Sequence, residues 1–214
     1  MSTQEEGQWD RERAQRHSRS SSISAGLIDA PFARRIVGAV GSLSSGATIV
    51  DLGGGPGLLA IELHKLCPQA TIIGVDPSED MLEIARGNAA KAGMSGYDAR
   101  VGMAEAMPLD AGTVDLVVSQ SSFHEWQDQQ KGLAEILRVL KPGGSVILRD
   151  YNRSWLSGWK KALFGLLHPL DMFRFTLDDL AIMLTATGFS QVTGLGAGMQ
   201  FIVQAKKPQQ GTGT

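Results

Sequence analysis

The stretch "TIVDLGGGPGLLAIEL", Thr48 to Leu63, changes character twice. Apolar and β-branched residues run up to Asp51. Then Gly53, Gly54, Gly55 and Gly57 fall within five residues, and an apolar, helix-like pattern begins at Leu58. Strand, glycine turn and helix in that order match the opening unit of a nucleotide-binding α/β sheet, although glycines also make ordinary tight turns. Glycine permits positive φ and lets a ligand come close to the backbone. The helix beyond it offers unpaired N–H groups that favour an anionic group such as a carboxylate.

The same alternation continues in both directions. Pro31 to Val40 reads as an opening helix capped by Asp29, and Pro56 to Leu66 as a helix with proline in its first turn. "ATIIGVD" is a second apolar strand, followed by a helix from Ser78, its cap, to Ala92, with Gly93 as the stop. "YDARVGM" and "VDLVVSQ" are strands three and four. A helix over Gln129 to Leu140 ends at "KPGG", and "SVILRDY" is strand five. After an insertion comes "TLDDLAIMLTATG", a helix with Thr176 as cap, Asp179 three residues on and Gly188 at its end. "FSQVTGL" and "MQFIVQAKK" close the chain as a hairpin. Apolar strands alternating with helices predict an α/β fold, a parallel sheet covered on both faces. Ligands then bind beyond the carboxyl ends of the strands, where the strand order reverses.

The chain has 214 residues, 43% of them hydrophobic and 20% charged, and a net charge of -2. That length builds one domain with a small appendage, and the charge gives no reason to expect a nucleic-acid partner. Cys67 is the only cysteine, so neither an internal disulfide nor a thiolate zinc cluster is available, which fits a reducing compartment. His17, His64, His124 and His168 lack paired ligand spacing, so no metal site is expected. The N-terminus has no apolar signal core, and no window reaches the roughly 18 apolar residues of a membrane span. A cytoplasmic protein is expected.

The glycine turn narrows the nucleotide. Gly53 and Gly55 fit the first two positions of a dinucleotide G-x-G-x-x-G turn, but Leu58 stands where the third glycine belongs. A P-loop needs Gly-Lys-Ser/Thr, and this turn has Gly-Leu-Leu. A carboxylate at Asp76, the end of strand two, can accept both hydroxyls of a ribose, or serve as a turn residue before Pro77. Asp51 is awkward beside a pyrophosphate and suits a ligand carrying an ammonium or sulfonium group. It also suits a loop-bracing role on backbone N–H groups.

These segments together resemble class I S-adenosylmethionine-dependent methyltransferases. "VDLGGGPG" is similar to that family's first motif and "IIGVDPSEDMLEIAR" to its ribose-binding strand end. "GMAEAMPLDAGTVDLVVSQ" resembles its third loop and fourth strand, and "LAEILRVLKPGGSVILRD" its fourth helix and fifth strand. The subtype resembles the small-molecule enzymes of ubiquinone and menaquinone biosynthesis. The resemblance implies a Rossmann-like seven-stranded sheet, mostly parallel with an antiparallel last strand. It implies S-adenosyl-L-methionine as cofactor and S-adenosyl-L-homocysteine as product. By the same resemblance Asp51, Gly53, Gly54 and Gly55 line the methionine part, Asp76 binds the ribose, and Pro77 and Met81 flank the adenine. The Ala104 N–H meets an adenine nitrogen, and Gln120 and Ser121 sit by the cofactor. Where family members often place an aspartate, this chain has Met103. A thioether is a poor acceptor, so that contact is lost, moved to Glu105 or made by water. Met103 then either packs on the adenine or belongs to the core.

Methyl transfer from a sulfonium asks the protein to align the acceptor, exclude water and take any acceptor proton. "SSFHEW" follows strand four and faces that site. His124 is the candidate base, with Glu125 as second choice, and Trp126 is placed to stack on an acceptor. His124 also reads as a residue that only orders its loop. Tyr151 ends strand five beside the same space. In the insertion at 152–175, Trp155, Trp159, Leu163, Leu166, Leu167 and Leu170 recur at near-helical spacing. That pattern suits a lid over an apolar or aromatic small-molecule acceptor, with Trp155 and Trp159 touching it, or a face packed on the core or in a homodimer. Residues 1–28 form an arm that either closes over the cofactor or stays disordered, 29–207 the methyltransferase domain, and 208–214 a disordered tail. Two other functions stand beside the leading one: a binding protein that keeps the fold without catalysis, and an NAD-dependent oxidoreductase.

Overall fold

A computed structural model describes residues 28–41, 43–158 and 170–209. Helix α1 covers residues 28–40. Then follow β1 (Thr48–Leu52), α2 (Leu58–Leu66), β2 (Thr71–Asp76), α3 (Glu79–Lys91), β3 (Asp98–Val101) and β4 (Val114–Gln120). The chain continues through α4 (Gln129–Val139), β5 (Leu140–Tyr151), α5 (Leu177–Thr187), β6 (Ser190–Ala197) and β7 (Gln200–Lys206). The seven strands form one sheet in the order β3-β2-β1-β4-β5-β7-β6. Strands β1 to β5 pair in parallel, and β7 runs antiparallel to both β5 and β6.

The unbroken apolar strands are explained by where their alternate side chains go. Ile49, Leu116, Val118 and Ile147 enter one core layer with Ile36 of α1 and Leu59 and Leu63 of α2. Val50, Val117, Val146 and Leu148 enter the other, with Leu133 and Ile136 of α4 and Leu180 and Leu184 of α5. A strand buried on both faces needs no polar side. The strand order reverses between β1 and β4, so a crevice opens at their carboxyl ends.

Helix caps agree with the sequence. Ser78 Oγ accepts from the Met81 N–H, and Thr176 and Asp179 make the reciprocal capping box. Three boundaries differ. Asp29 is not a cap: it is already helical, and its carboxylate is turned onto Gln120. Helix α2 starts at Leu58 behind a left-handed Gly57, which leaves Pro56 in the turn. "KPGG" is not a separate stop, because β5 begins at Leu140, pairs with Val114, and bulges before Ser145 meets Leu116.

The insertion at 152–175 is described only at its ends. Arg153–Trp155 forms a single 3-10 turn, and Asn152 bridges to Phe175. Trp159, Leu163, Leu166 and Leu167 lie outside the described residues, as do residues 1–27 of the arm and 210–214 of the tail.

Candidate active site

The chain leaves β1 through three left-handed glycines, Gly53, Gly55 and Gly57. The Gly53 N–H returns to the Val75 carbonyl at 2.7 Å, which hooks the turn over the end of β2. A side chain at Gly53 would lie 2.5 Å from Ser122, whereas nothing stands within 4 Å of a side chain placed on Gly55. The glycines therefore let the turn lie flat on the β4 loop and keep its outer side open.

Two aspartates flank this turn in different states. Asp76 accepts from the Gly55 N–H and the Ser78 N–H, both at 2.9 Å, so it braces the loop and does not line the cavity. Asp51 is 1% exposed, and its Oδ2 has no hydrogen-bond partner among the described residues. Burial, then the charge of Asp29, pushes its carboxyl up to about 7; Asp76 adds to this and a backbone bond at Ala60 opposes it. An unpaired buried carboxylate is costly unless something arrives to meet it.

A cavity of about 1770 Å³ opens from this turn. It exceeds the roughly 300–1,000 Å³ of a single-ligand pocket. Pro77, Met81, Met103, Ala104 and Glu105 line one end. Met103 is 37% exposed there, so its core reading is wrong. Glu105 already accepts from the Asp128 N–H at the start of α4. Gln120 and Ser121 line the middle. Gln120 donates to Asp29 and accepts from Arg149 at 3.2 Å. Ser121 holds a left-handed φ of 54°, strained for a residue with a side chain, and accepts from Gln200 Nε2.

The far end holds His124, Glu125, Tyr151, Met172 and Gln200. Asp150, 1% exposed, accepts from the His124 N–H at 3.0 Å and the Tyr151 N–H at 2.6 Å, and its Oδ1 lies 2.8 Å from His124 Nδ1. A carboxylate only accepts, so Nδ1 carries the proton and Nε2 keeps its lone pair while the ring is neutral. Burial works against a charged His124, but the bond and charge of Asp150, with the charges of Glu125 and Asp171, together outweigh it and raise the pKa above the ordinary value. Tyr151 stands edge-on to the imidazole, with ring centroids 5.4 Å apart, and pairs across the strands with Gln200.

Trp126 is placed otherwise than a stacking platform requires. It is buried in the core, edge-on to Phe123, with its indole N–H on Ser122, and contributes only part of the cavity wall. Trp155 stacks on Phe173 and does not line the cavity. Asp150, Asp29 and Gln200 were missed from sequence. Only the "RD" before Tyr151 hinted at Asp150, since a charge in an apolar strand needs a partner.

The model of a methyltransferase domain matches residues 43–175. The chain belongs to the methyltransferase family. Within it, this methyltransferase is a class I, S-adenosylmethionine-dependent member with the Rossmann-like fold expected from its motifs. It is 34% identical over 159 residues to the uncharacterized methyltransferase YdaC of Bacillus subtilis, covering 67% of this chain and 84% of that one. It is 34% identical over 114 residues to the ubiquinone/menaquinone biosynthesis C-methyltransferase UbiE of Geobacter sulfurreducens, covering 51% and 43%. The chain spans about half the length of several curated relatives it matches. A proposed S-adenosyl-L-methionine-dependent methyltransferase from Methanococcus maripaludis superposes with a TM-score of 0.77 at 25% identity, covering 99% of this chain and 100% of that one. These relatives lend no support to the oxidoreductase or non-catalytic readings. Among the described residues no acidic, histidine or cysteine cluster suits a metal, and no helix is long and apolar enough to cross a membrane.

Proposed function

We propose that this methyltransferase holds S-adenosylmethionine against the glycine turn and methylates a small, apolar or aromatic acceptor at the His124 end of the cavity. The observation that carries the reading is the buried Asp51 carboxylate, whose Oδ2 is unpartnered among the described residues where the cavity meets the turn. A cationic amino group satisfies such an oxygen, and a pyrophosphate does not. The open side of Gly55 and the wall at Pro77, Met81 and Ala104 fit the rest of an adenosyl ligand. Asp76 reaches the ribose if the ligand shares the carboxylate with the loop N–H groups.

The bound cofactor supplies an electrophilic methyl group. The protein contributes a base: His124 Nε2 takes the acceptor's proton, and Asp150 fixes the ring and steadies its positive charge. Glu125, 3.8 Å from Nε2, favours the protonated ring. Tyr151, Met172 and Gln200 shape the acceptor space. On this reading the protein is a cytoplasmic enzyme.

Single-turnover methyl transfer to a panel of phenols, quinols, amines and thiols tests this. His124→Ala is expected to lower the rate about 10²-fold or more while leaving S-adenosylhomocysteine affinity nearly unchanged. An unaltered rate removes His124 from the chemistry.

A further inference from the structure

We propose that Asp29 is the second carboxylate of a paired-acid subsite that, with Asp51, grips the ammonium group of the cofactor's amino-acid end. The inference rests on the assignment of the cavity to S-adenosylmethionine.

Asp29 belongs to α1, an element outside the nucleotide-binding strands, yet it lines the same cavity as Asp51 and is 6% exposed. Gln120 Nε2 donates to its Oδ1. Gln120 is itself held by Arg149, which also donates to the Ile28 carbonyl and lies over the Phe32 ring at 5.2 Å. This network fixes the first turn of α1 and leaves Oδ2 of Asp29 without a side-chain donor among the described residues.

The charges that face the two carboxylates differ. Asp29 is faced by Arg149 and Gln120, with Glu62 of α2 adding negative charge. Asp51 is faced by Asp29 and Asp76, both negative, with the phenol of Tyr97 nearby. Among the described residues no cation is among the groups acting on Asp51. Two buried carboxylates in one cavity disfavour each other's ionised forms, and a cation bound between them relieves this. An alkylammonium offers three donors and one positive charge, which suits Asp51 Oδ2, unpartnered among the described residues, together with the Asp29 carboxylate that acts on it from the same cavity. A role for Asp29 limited to anchoring α1 would not need its charge, since a neutral oxygen also accepts from Gln120.

The experiment uses Asp29→Asn, which keeps an acceptor for Gln120 and removes the charge. Calorimetry at pH 8 compares S-adenosylhomocysteine with 5′-methylthioadenosine, which lacks the amino-acid end. The variant should bind S-adenosylhomocysteine about tenfold or more weakly, the scale of a charge-assisted hydrogen bond, and 5′-methylthioadenosine as tightly as the wild type does. With Asp29 neutral, Asp51 ionises more readily. The acid limb of S-adenosylhomocysteine binding should therefore move to lower pH. Equal binding of S-adenosylhomocysteine by variant and wild type overturns the proposal. So does equal weakening of both ligands with a lowered melting midpoint, which marks an anchor. If Asp29→Asn does not fold, Asp29→Ser, which also removes the charge and keeps an acceptor for Gln120, is measured with the same two ligands, and the same outcomes support or overturn the paired-acid site. A wild type that binds neither ligand refutes the assignment of the cavity itself, a result distinguishable from failure of the Asp29 role.

Discussion

Asp51 and Asp150 are both 1% exposed carboxylates at strand ends, and they do opposite work. Asp150 is satisfied by two backbone N–H groups and the His124 ring, so it positions. Asp51 has an oxygen without a partner among the described residues, on the wall of the cavity. The difference predicts different variants. Asp150→Asn leaves an oxygen for one donor but removes the charge that raises the His124 pKa. His124 should then lose its proton at a lower pH. The acid limb of the single-turnover rate should move down in pH while the plateau falls, because the ring is no longer held as a base. A pH–rate profile checks this, and an unmoved acid limb would show that another group titrates.

The elements were legible wherever one local force acted alone. Thr176, Asp179 and Gly188 announce α5 at both ends, and the structure contains both the capping box and the left-handed Gly188. Thr176→Ala should cost about 1 kcal/mol, read as a lowered midpoint in urea unfolding, with S-adenosylhomocysteine affinity intact because α5 stands away from the cavity. "VDLVVSQ" and the closing hairpin were similarly plain from apolar runs and turn chemistry. What sequence could not show were contacts between distant elements. Asp29 reads as a cap because it precedes a proline-led helix, yet Gln120, 91 residues away, sets its orientation. His124 and Asp150 lie 26 residues apart on either side of a crossover, a pairing fixed by the β4–β5 register and invisible in spacing. Trp126 looked like a stacking surface because aromatic character signals packing without saying against what; here it packs on Phe123.

The whole molecule couples its fold to its ligand through Asp51. Its carboxyl, raised to about 7, binds more protons folded than unfolded between about 4, its ordinary range, and that value. The ligand-free fold therefore holds this contribution at low pH and loses it as pH rises through about 7. A bound ammonium reverses the preference, since it favours the ionised form. Saturating S-adenosylhomocysteine should thus raise the melting midpoint more at pH 8 than at pH 6, as thermal unfolding will show. The sheet reversal at β1 and β4 puts the glycine turn, Asp51 and the His124–Asp150 pair along one cavity, which is the arrangement that methyl transfer between two bound molecules needs. Calorimetric titration of the wild-type chain at pH 8 with S-adenosylhomocysteine and, separately, NAD tests that assignment most directly. One S-adenosylhomocysteine should bind per chain, with no heat of binding from NAD; saturable binding of NAD with none of S-adenosylhomocysteine would overturn the assignment.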